Sequence, residues 1–228
     1  MRKVLALLLT GFLSLSIYGK EQILFSGLNL KAFEFRPYSW EIENDDSLVC
    51  RMEMIKDKKG VRRLRGMGYI WTKNDFADFE LSLEYKLTEG ANSGIFYRSD
   101  KNDPVQNGFE IQLMDNIGFQ KKANKVLPPR KLNASFYDGM APKGDFSKTV
   151  GQWNHAKLSC NGPQVSFSLN GKLAFLVNLD DWKEPGKNPD GSTNKFKKPL
   201  KDISRIGRIG FQNHGQVVWF RKISIREL

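Results

Sequence analysis

Histidine and cysteine are scarce in this chain, with two of each among 228 residues. Metal sites built from these residues use short, regular spacings between ligands, and no such spacing occurs here. A phosphate-binding glycine loop and the strained turn around a nucleophilic serine are also missing. These absences argue against zinc, nucleotide and serine-hydrolase chemistry. No cofactor is expected, and calcium or another divalent cation stays an alternative that no motif supports.

The two cysteines do not define a disulfide framework. Cys50 and Cys160 each lie in a strand-like run of residues. An oxidising compartment would permit a bridge between them. Two separate buried thiols fit the same positions equally well, so the sequence leaves both arrangements open.

Long helical stripes are missing as well. No window of more than about ten residues repeats apolar side chains at helical spacing. Short runs alternate polar and apolar residues instead, for example over residues 79–85. Asn170 and Gly171, the pair that a type I′ hairpin turn prefers, lie between two such runs. The pattern predicts an all-β, single-domain sandwich of two antiparallel sheets.

The amino terminus carries one longer apolar stretch. Two basic residues precede an apolar run over residues 4–17, and polar residues follow from Lys20 onward. This order is typical of a secretory signal peptide, and the run is short for a membrane-spanning helix. We expect a signal peptide over residues 1–19 and a mature domain over residues 20–228. The domain would then be periplasmic or secreted, with no membrane contact after cleavage; a retained membrane anchor is the alternative.

The chain is basic, with a formal net charge of +11. The basic clusters fall in loop-like stretches, and aromatic residues are not interleaved with them as in a nucleic-acid stacking platform. The clusters are Arg62, Arg63 and Arg65; Lys121, Lys122 and Lys125; and Lys195, Lys197 and Lys198. We interpret them as solvated surface loops and expect no nucleic-acid partner. The sequence does not define an oligomeric state.

Acidic and amide residues interrupt one strand-like run, at residues 109–115. Alternation places Glu110 and Gln112 on one face, and Asp115 joins them only if a β-bulge inserts one residue. An unpaired carboxylate buried in a sheet costs several kcal/mol or becomes protonated. The strand therefore either lines a wet cleft or has its acids held by partners.

Polar residues in the neighbouring strand patterns could meet this row. Asn92 begins an apolar strand that ends at Arg98, and Gln212 and His214 lie between the last two strands. Each has a simpler structural explanation: a turn at 92, a buried ion pair of Arg98 with Glu110, or an exposed hairpin tip at 214. Their convergence on one sheet face would make a sugar site. The long irregular stretches 120–151 and 180–205 are expected to carry binding residues.

Several motifs in a fixed order resemble the 3-keto-disaccharide hydrolase family. The most distinctive are ANSGIFYR at 91–98, FEIQLMD at 109–115 and GFQNHG at 210–215. Others lie at residues 24–27, 78–81, 151–154, 169–171 and 218–221, with a polar insert at 188–202. The resemblance covers nearly all of the mature chain. Phe211, Asn213 and Lys222 depart from the residues that are commoner in the family.

The resemblance implies a concanavalin A-like jelly-roll sandwich that acts on glycosides oxidised at carbon 3. A ketone there acidifies the proton on carbon 2, so a base can form an enolate that expels the carbon-1 group before water adds. We expect Glu110 or His214 to be the base, with Arg98, Asn92 and Gln112 polarising the ketone and Asp115 orienting the others. The predicted substrate-binding residues are Asn92, Gln112, Tyr97, Gln212, Trp182 and Lys197.

Two other functions remain possible on this fold. The Glu-x-Gln-x-x-Asp pattern is similar to the acidic strand of laminarinase-type retaining glucanases. Retaining hydrolysis needs carboxyl groups about 5–5.5 Å apart, whereas five strand steps span roughly 16 Å. The sequence therefore disfavours it. A non-catalytic carbohydrate-binding module is the third reading, because a fold does not decide a function.

Overall fold

The computed structural model describes residues 19–228, and all its strand pairs are antiparallel, as predicted. The signal peptide predicted for residues 1–19 lies outside this part except for its last residue. The strands in residues 19–228 are β1 Gln22–Phe25, β2 Phe33–Phe35, β3 Trp40–Ile42, β4 Leu48–Cys50, β5 Met52–Lys56, β6 Arg62–Gly66, β7 Ile70–Thr72, β8 Phe79–Leu87, β9 Asn92–Ser99, β10 Phe109–Met114, β11 Asn154–Asn161, β12 Gln164–Leu169, β13 Lys172–Asn178, β14 Arg208–Phe211 and β15 Val218–Glu227. One α-helix, α1 Asn116–Ala123, and short 3-10 turns at Pro129–Lys131, Leu179–Asp181 and Leu200–Asp202 complete this part of the chain.

The strands form two large sheets and a separate ribbon. The eight-stranded sheet has the order β13-β12-β11-β8-β15-β4-β3, with β1 also paired to β15. The five-stranded sheet has the order β10-β9-β14-β7-β2. Strands β5 and β6 pair only with each other. Because β9 and β10 are neighbours at one edge of the five-stranded sheet, the acid and amide residues of β10 lie beside Asn92 and Gly94.

Alternating side chains hold the two sheets together. In β8 every odd-numbered residue from Phe79 to Leu87 is buried and every even-numbered residue is partly exposed. Phe211 of the five-stranded sheet stacks on Phe220 of the eight-stranded sheet, with ring centroids 4.6 Å apart. The buried faces form one continuous core. Burial of apolar area on this scale is what stabilises a sandwich.

The hairpin predicted at Asn170 and Gly171 is confirmed. The two residues have φ values of 51° and 79°, as a type I′ turn requires. They connect β12 to β13, which form six residue pairs with a shift in register between Phe167 and Ser168.

Two segments differ from the structure predicted for them, and the two arrangements left open for the cysteines are resolved. The basic run at Arg62 to Arg65 forms β6 instead of the predicted loop. Main-chain pairing with β5 holds it as a strand, although its charged side chains show no strand pattern. Helix α1 overlaps the start of the stretch read as irregular. Cys50 and Cys160 are separate buried thiols, and burial raises their pKa values to about 11 and about 12.

No helix within residues 19–228 has the length and apolar character needed to cross a membrane.

Candidate functional site

Glu110 faces away from the core on the outer surface of the five-stranded sheet. Its neighbours in β10, Phe109 and Ile111, belong to the core, so the alternation predicted from the sequence holds. Glu110 is directly paired with Phe96 of β9. Only 5% of the residue is exposed, although it lies on the outer face. Loops and neighbouring side chains therefore cover the carboxylate.

Two glycines leave room for side chains on this face. A Cβ atom at Gly94 would lie 2.6 Å from Glu110 Oε1, and one at Gly210 would lie 2.4 Å from Trp71 Cε3. Both distances are shorter than a van der Waals contact. Glu110 and Trp71 can therefore lie flat over the neighbouring strands only because these two positions carry no side chain.

Two side chains hold the Glu110 carboxylate. Lys195 Nζ lies 3.2 Å from Oε2, and Gln212 Nε2 donates to Oε1 at 3.4 Å. The same Gln212 amide also donates to the Tyr69 hydroxyl oxygen at 3.2 Å. The phenol oxygen accepts in that bond, which leaves the Tyr69 hydroxyl proton available to a ligand.

Burial dominates the electrostatics of the site. It raises the pKa of Glu110 above the usual carboxyl value, and the positive charge of Lys195 offsets part of this rise. Burial, together with the negative charge of Glu110, also raises the pKa values of Tyr69 and Tyr137. Both phenols are therefore protonated hydrogen-bond donors at neutral pH, on either side of a carboxylate whose basicity is increased.

Three aromatic rings pack together on the same sheet as Glu110. The rings of Tyr69, Trp71 and Phe96 lie 5.5–6.0 Å apart, centroid to centroid. Phe96 is fully buried, while Tyr69 keeps part of its surface exposed. Phe96 is paired with Glu110 in the sheet, and Tyr69 shares the Gln212 amide with it, so these rings add apolar surface to the surroundings of the carboxylate. Of the three, Tyr69 presents the larger accessible surface to a ligand.

A second polar row adjoins the carboxylate. Gln112, two residues along β10, donates to Asn92 Oδ1 at 2.6 Å. The Asn92 main-chain N–H in turn donates to Gln216 Oε1. Gln112 is buried and Asn92 is half-buried. The structure thus brings Asn92, Gln112, Gln212 and Glu110 together on one face, as the sequence predicted.

Two loop segments complete the site. Residues 134–137 run along the open edge of β10, where the Tyr137 N–H donates to the Glu110 main-chain oxygen. The second loop brings Lys195 over the sheet, and Asn188 anchors it by donating to the Asp138 main-chain oxygen. Lys195 Nζ also lies 4.4 Å from the Tyr137 ring centroid, so the two segments meet above Glu110.

The prediction that Arg98 polarises a bound ketone is wrong in its placement. Arg98 is fully buried and binds the Asp78 carboxylate at 2.8 Å and the main-chain oxygens of Ala77 and Gly162 at 2.7 Å. Its φ of 47° turns the side chain out of the alternation of β9. The guanidinium therefore lies at the end of the sandwich and not beside Glu110.

The two aromatic residues predicted to bind substrate lie in the core. Tyr97 alternates with Phe96, so its ring faces inward against Phe109 at 5.5 Å. Trp182 is buried, with its ring against Phe136 at 5.6 Å and its indole N–H donating to Asn188. Neither offers a surface to a sugar. Both predictions are corrected: strand alternation turns the Tyr97 ring inward, and the packing of Trp182 depends on long-range contacts that its position in a loop does not show.

Asp115 is a helix cap and does not join Glu110. Strand β10 ends at Met114, and Asp115 accepts from the main-chain N–H groups of Gly118 and Gly90 at 3.2 and 2.7 Å. No bulge returns it to the face of Glu110. It lines a separate hollow of about 510 Å³ between α1 and residues 145–154.

Lys197 and His214 lie at the surface, without contacts to the carboxylate. The Lys197 main-chain N–H donates to Gln106 Oε1 at 2.9 Å, and its side chain is exposed. His214 is exposed two residues beyond Gln212 and, within residues 19–228, forms no hydrogen bond or ion pair. The structure therefore gives neither residue a place in the Glu110 cluster.

Sequence reasoning missed Lys195, Tyr137 and Tyr69 beside Glu110, and Trp71, whose ring packs against that of Tyr69. The alternating aromatics at 69 and 71 were a usable signal, because they flank the buried Ile70. Lys195 and Tyr137 come from irregular segments, whose docking depends on long-range contacts that have no local pattern. In the described part of the chain, no group of three His, Cys, Asp or Glu residues is arranged to hold a metal ion.

Comparison with known proteins gives the family and agrees with the fold. Residues 20–226 match the family described as the 3-keto-alpha-glucoside-1,2-lyase-like domain. A 3-keto-disaccharide hydrolase from Bacteroides thetaiotaomicron is 28% identical over 173 residues, which cover 67% of this chain and 59% of that protein. The chain thus spans less than two thirds of the length of this relative.

Solved structures support the same assignment. A protein of Parabacteroides distasonis, named as a candidate glycosyl hydrolase, is 32% identical, with a TM-score of 0.78 over 92% of this chain and 100% of its own. The laminarinase catalytic domain of Thermotoga maritima, 13% identical with a TM-score of 0.51 over 92% of this chain and 96% of its own, shares the fold. The predicted jelly-roll sandwich is therefore confirmed. With a family match over residues 20–226, the chain belongs to the 3-keto-alpha-glucoside-1,2-lyase-like domain family.

Proposed function

We propose that this protein cleaves the glycosidic bond of disaccharides or other glycosides oxidised at carbon 3, and that Glu110 is the base. The observation that carries the proposal is the buried Glu110 carboxylate on the outer sheet face, held by Lys195 and Gln212. The name of the Bacteroides relative, a 3-keto-disaccharide hydrolase, supports this substrate class.

The proposed reaction starts with transfer of the carbon-2 proton to Glu110. The electron pair of that C–H bond moves toward the carbon-3 ketone, which becomes an enolate. The enolate then expels the oxygen on carbon 1, which takes a proton as it leaves. Water adds across the resulting double bond, its oxygen to carbon 1 and a proton to carbon 2. The raised pKa of Glu110 suits this role, because a more basic carboxylate is a better proton acceptor.

The reaction also needs groups that stabilise the enolate and protonate the leaving alcohol, and neutral donors around Glu110 can supply both. An enolate needs hydrogen-bond donors, and a leaving alcohol needs an acid. The amides of Gln212 and Gln112 lie on the same face, and the hydroxyl groups of Tyr69 and Tyr137 lie beside Glu110. We assign the enolate to the second N–H of the Gln112 amide, whose first donates to Asn92, and the leaving group to one of the phenols. His214 is exposed, so the base role goes to Glu110.

The alternatives receive less support from the geometry. Retaining hydrolysis needs a second carboxyl group about 5–5.5 Å from the first. Among residues 19–228, no other carboxylate shares a hydrogen bond with Glu110 or contributes to the shift of its pKa. A pure binding module would have no need for a desolvated carboxylate whose burial costs free energy.

Export to the periplasm or outside the cell is part of the proposal. It rests on the apolar run at residues 4–17. We propose a carbohydrate substrate as the partner and no nucleic acid. An antibody against the protein should detect it in the periplasmic or culture fraction; detection in the cytoplasm alone would contradict export.

The decisive experiment compares oxidised and plain sugars. We expect release of monosaccharide from 3-keto-trehalose or 3-keto-lactose and none from trehalose or lactose. In D₂O the product should carry deuterium at carbon 2, beyond the level found when the product alone is incubated without enzyme. Turnover of the plain sugars without deuterium would contradict the elimination route and favour ordinary hydrolysis.

Replacing the base tests its assignment. Glu110→Gln should lower kcat by about 10²- to 10⁴-fold while keeping substrate affinity, because a general base contributes on that scale. Glu184→Gln changes an exposed glutamate in the same way and should leave turnover unchanged. Binding without any turnover by the unaltered protein would favour a carbohydrate-binding module.

A further inference from the structure

We propose that Lys195 is a positioning residue that keeps Glu110 charged and aimed in its dry site. The inference rests on the proposed function, since it concerns the same carboxylate. Lys195 Nζ lies 3.2 Å from Glu110 Oε2, and the two side chains are 18% and 6% exposed. An ion pair this buried keeps much of its strength, because water screens it only weakly.

The loop around Lys195 is held on both sides. Gln106 Nε2 donates to the Lys195 main-chain oxygen at 3.0 Å, and Gln106 Oε1 accepts from the Lys197 N–H at 2.9 Å. Phe196 between them is buried, with its ring stacked near Phe136 at 6.5 Å. One amide side chain thus fixes the backbone while Phe196 anchors it to the core. The backbone of Lys195 is therefore held in place at the distance from which its ammonium group reaches Glu110.

The lysine side chain has further contacts that fix its direction. Its Nζ lies 4.4 Å from the Tyr137 ring centroid and 5.4 Å from that of Phe196. Cation–π contacts of this kind favour a partly desolvated ammonium group. Lys195 is therefore held between two rings and one carboxylate, which restricts its rotamers.

No other positive charge acts on the carboxylate from the described residues. The groups that face Glu110 are Gln212 after β14, Tyr69 before β7, Tyr137 beside β10 and Lys195 from the loop. The first three are neutral at physiological pH. Lys195 is the one residue in residues 19–228 that lowers the pKa of Glu110 against the rise caused by burial.

Loss of this ammonium group has a defined consequence. The pKa of Glu110 would rise further, so a smaller fraction of the carboxylate would be ionised at a given pH. An opposite charge within about 4–6 Å lowers a carboxyl pKa by about one to three units. The acidic limb of the pH profile of kcat/KM should therefore move to higher pH by a comparable amount when Lys195 is neutralised.

The test combines kinetics with a measurement that does not need turnover. We would record the pH profile of kcat/KM on a 3-keto-disaccharide for the unaltered protein, Lys195→Met and Lys195→Arg. In the Met variant the acidic limb should move to higher pH by about one to three units, with activity recovering at higher pH, whereas the Arg variant should stay near the original profile. Lys183→Met, which neutralises an exposed lysine, is the matched control and should change nothing.

The pKa of Glu110 itself can be followed by carboxyl ¹³C NMR, with Glu110→Gln identifying the signal. A higher pKa in Lys195→Met that Lys195→Arg reverses supports the inference even where no sugar is turned over, which separates it from the proposed function. An unchanged Glu110 pKa in a folded Lys195→Met protein overturns it. Where the Met variant does not fold, Lys195→Gln is titrated instead, with the same two outcomes.

Discussion

At the scale of single residues, the site depends on one position that carries no side chain. Glu110 Oε1 occupies the space in which a Cβ atom of residue 94 would lie, at 2.6 Å. The carboxylate can therefore lie across β9 and reach Gln212. Gly94 is not in the left-handed region of the backbone, so its role is to leave space and not to make a turn.

Gly94→Ala should disable the site without unfolding the protein. The added methyl group must push the Glu110 carboxylate away from Gln212, and a displacement of about 1 Å can cost about 10²-fold in rate. Overpacking of this kind costs about 1–3 kcal/mol of stability. Turnover of a 3-keto-disaccharide and a urea unfolding curve measure the two effects.

The matched control is Gly144→Ala, the same chemical change at a site where the nearest atom is 3.1 Å away on the Phe146 ring. It should leave turnover at its original level. Full activity of Gly94→Ala would show that the position of Glu110 described here is not needed for the reaction.

Residue-scale expectations succeeded where alternation alone decides direction. Glu110 and Gln112 share a face because they are two apart in a strand. The same alternation turns Tyr97 into the core, which is why the prediction that it binds substrate is wrong. Arg98 follows a different rule, since its positive φ removes it from the alternation. A left-handed conformation at an arginine has no sequence signal, so its place could not be foreseen.

At the scale of elements, Asp115 marks the exit from β10 into α1. Its carboxylate accepts from the Gly118 N–H in the first turn of the helix and from the Gly90 N–H in the turn between β8 and β9. An aspartate at this position satisfies helix donors that otherwise have no partner. The acid that ends the FEIQLMD motif thus has a structural use at the start of α1.

Asp115→Ala should reduce stability and spare catalysis. Loss of an N-cap costs about 0.5–2 kcal/mol, which corresponds to a melting temperature lower by about 2–4 °C per kcal/mol in a domain of this size. Asp115→Asn should recover part of the loss. Differential scanning calorimetry and the kcat of the folded variants are the measurements. Abolished turnover with an unchanged melting temperature would contradict the capping role and show that Asp115 takes part in catalysis.

At the scale of the whole molecule, Arg98 joins the two sheets. It leaves the end of β9 in the five-stranded sheet and binds the Gly162 main-chain oxygen in the turn between β11 and β12 of the other sheet. Asp78, just before β8, accepts from both Arg98 and the Gly162 N–H. The guanidinium, with its five N–H donors, is suited to such a multiple connection.

Arg98→Met should destabilise the sandwich. The Asp78 side chain is 40% exposed, so most of the cost comes from the Ala77 and Gly162 main-chain oxygens that lose their donor, at about 1–3 kcal/mol for each unsatisfied buried acceptor. Arg98→Lys should recover little, because one ammonium group cannot reproduce the planar fork. Urea unfolding monitored by tryptophan fluorescence gives the free energy of unfolding. A variant with unchanged stability and no turnover would instead place Arg98 in the reaction.

The sequence by itself determined the sandwich, the turn at Asn170 and Gly171, and the face that Glu110 shares with Gln112. These depend on strand periodicity and turn chemistry, which are local. Only the tertiary structure decided that Lys195 and Tyr137 cover the carboxylate, that Trp182 packs inward and that Asp115 caps a helix. Such contacts join segments as far apart as residues 110 and 195. Their formation depends on packing between distant parts of the chain, which leaves no pattern among neighbouring residues.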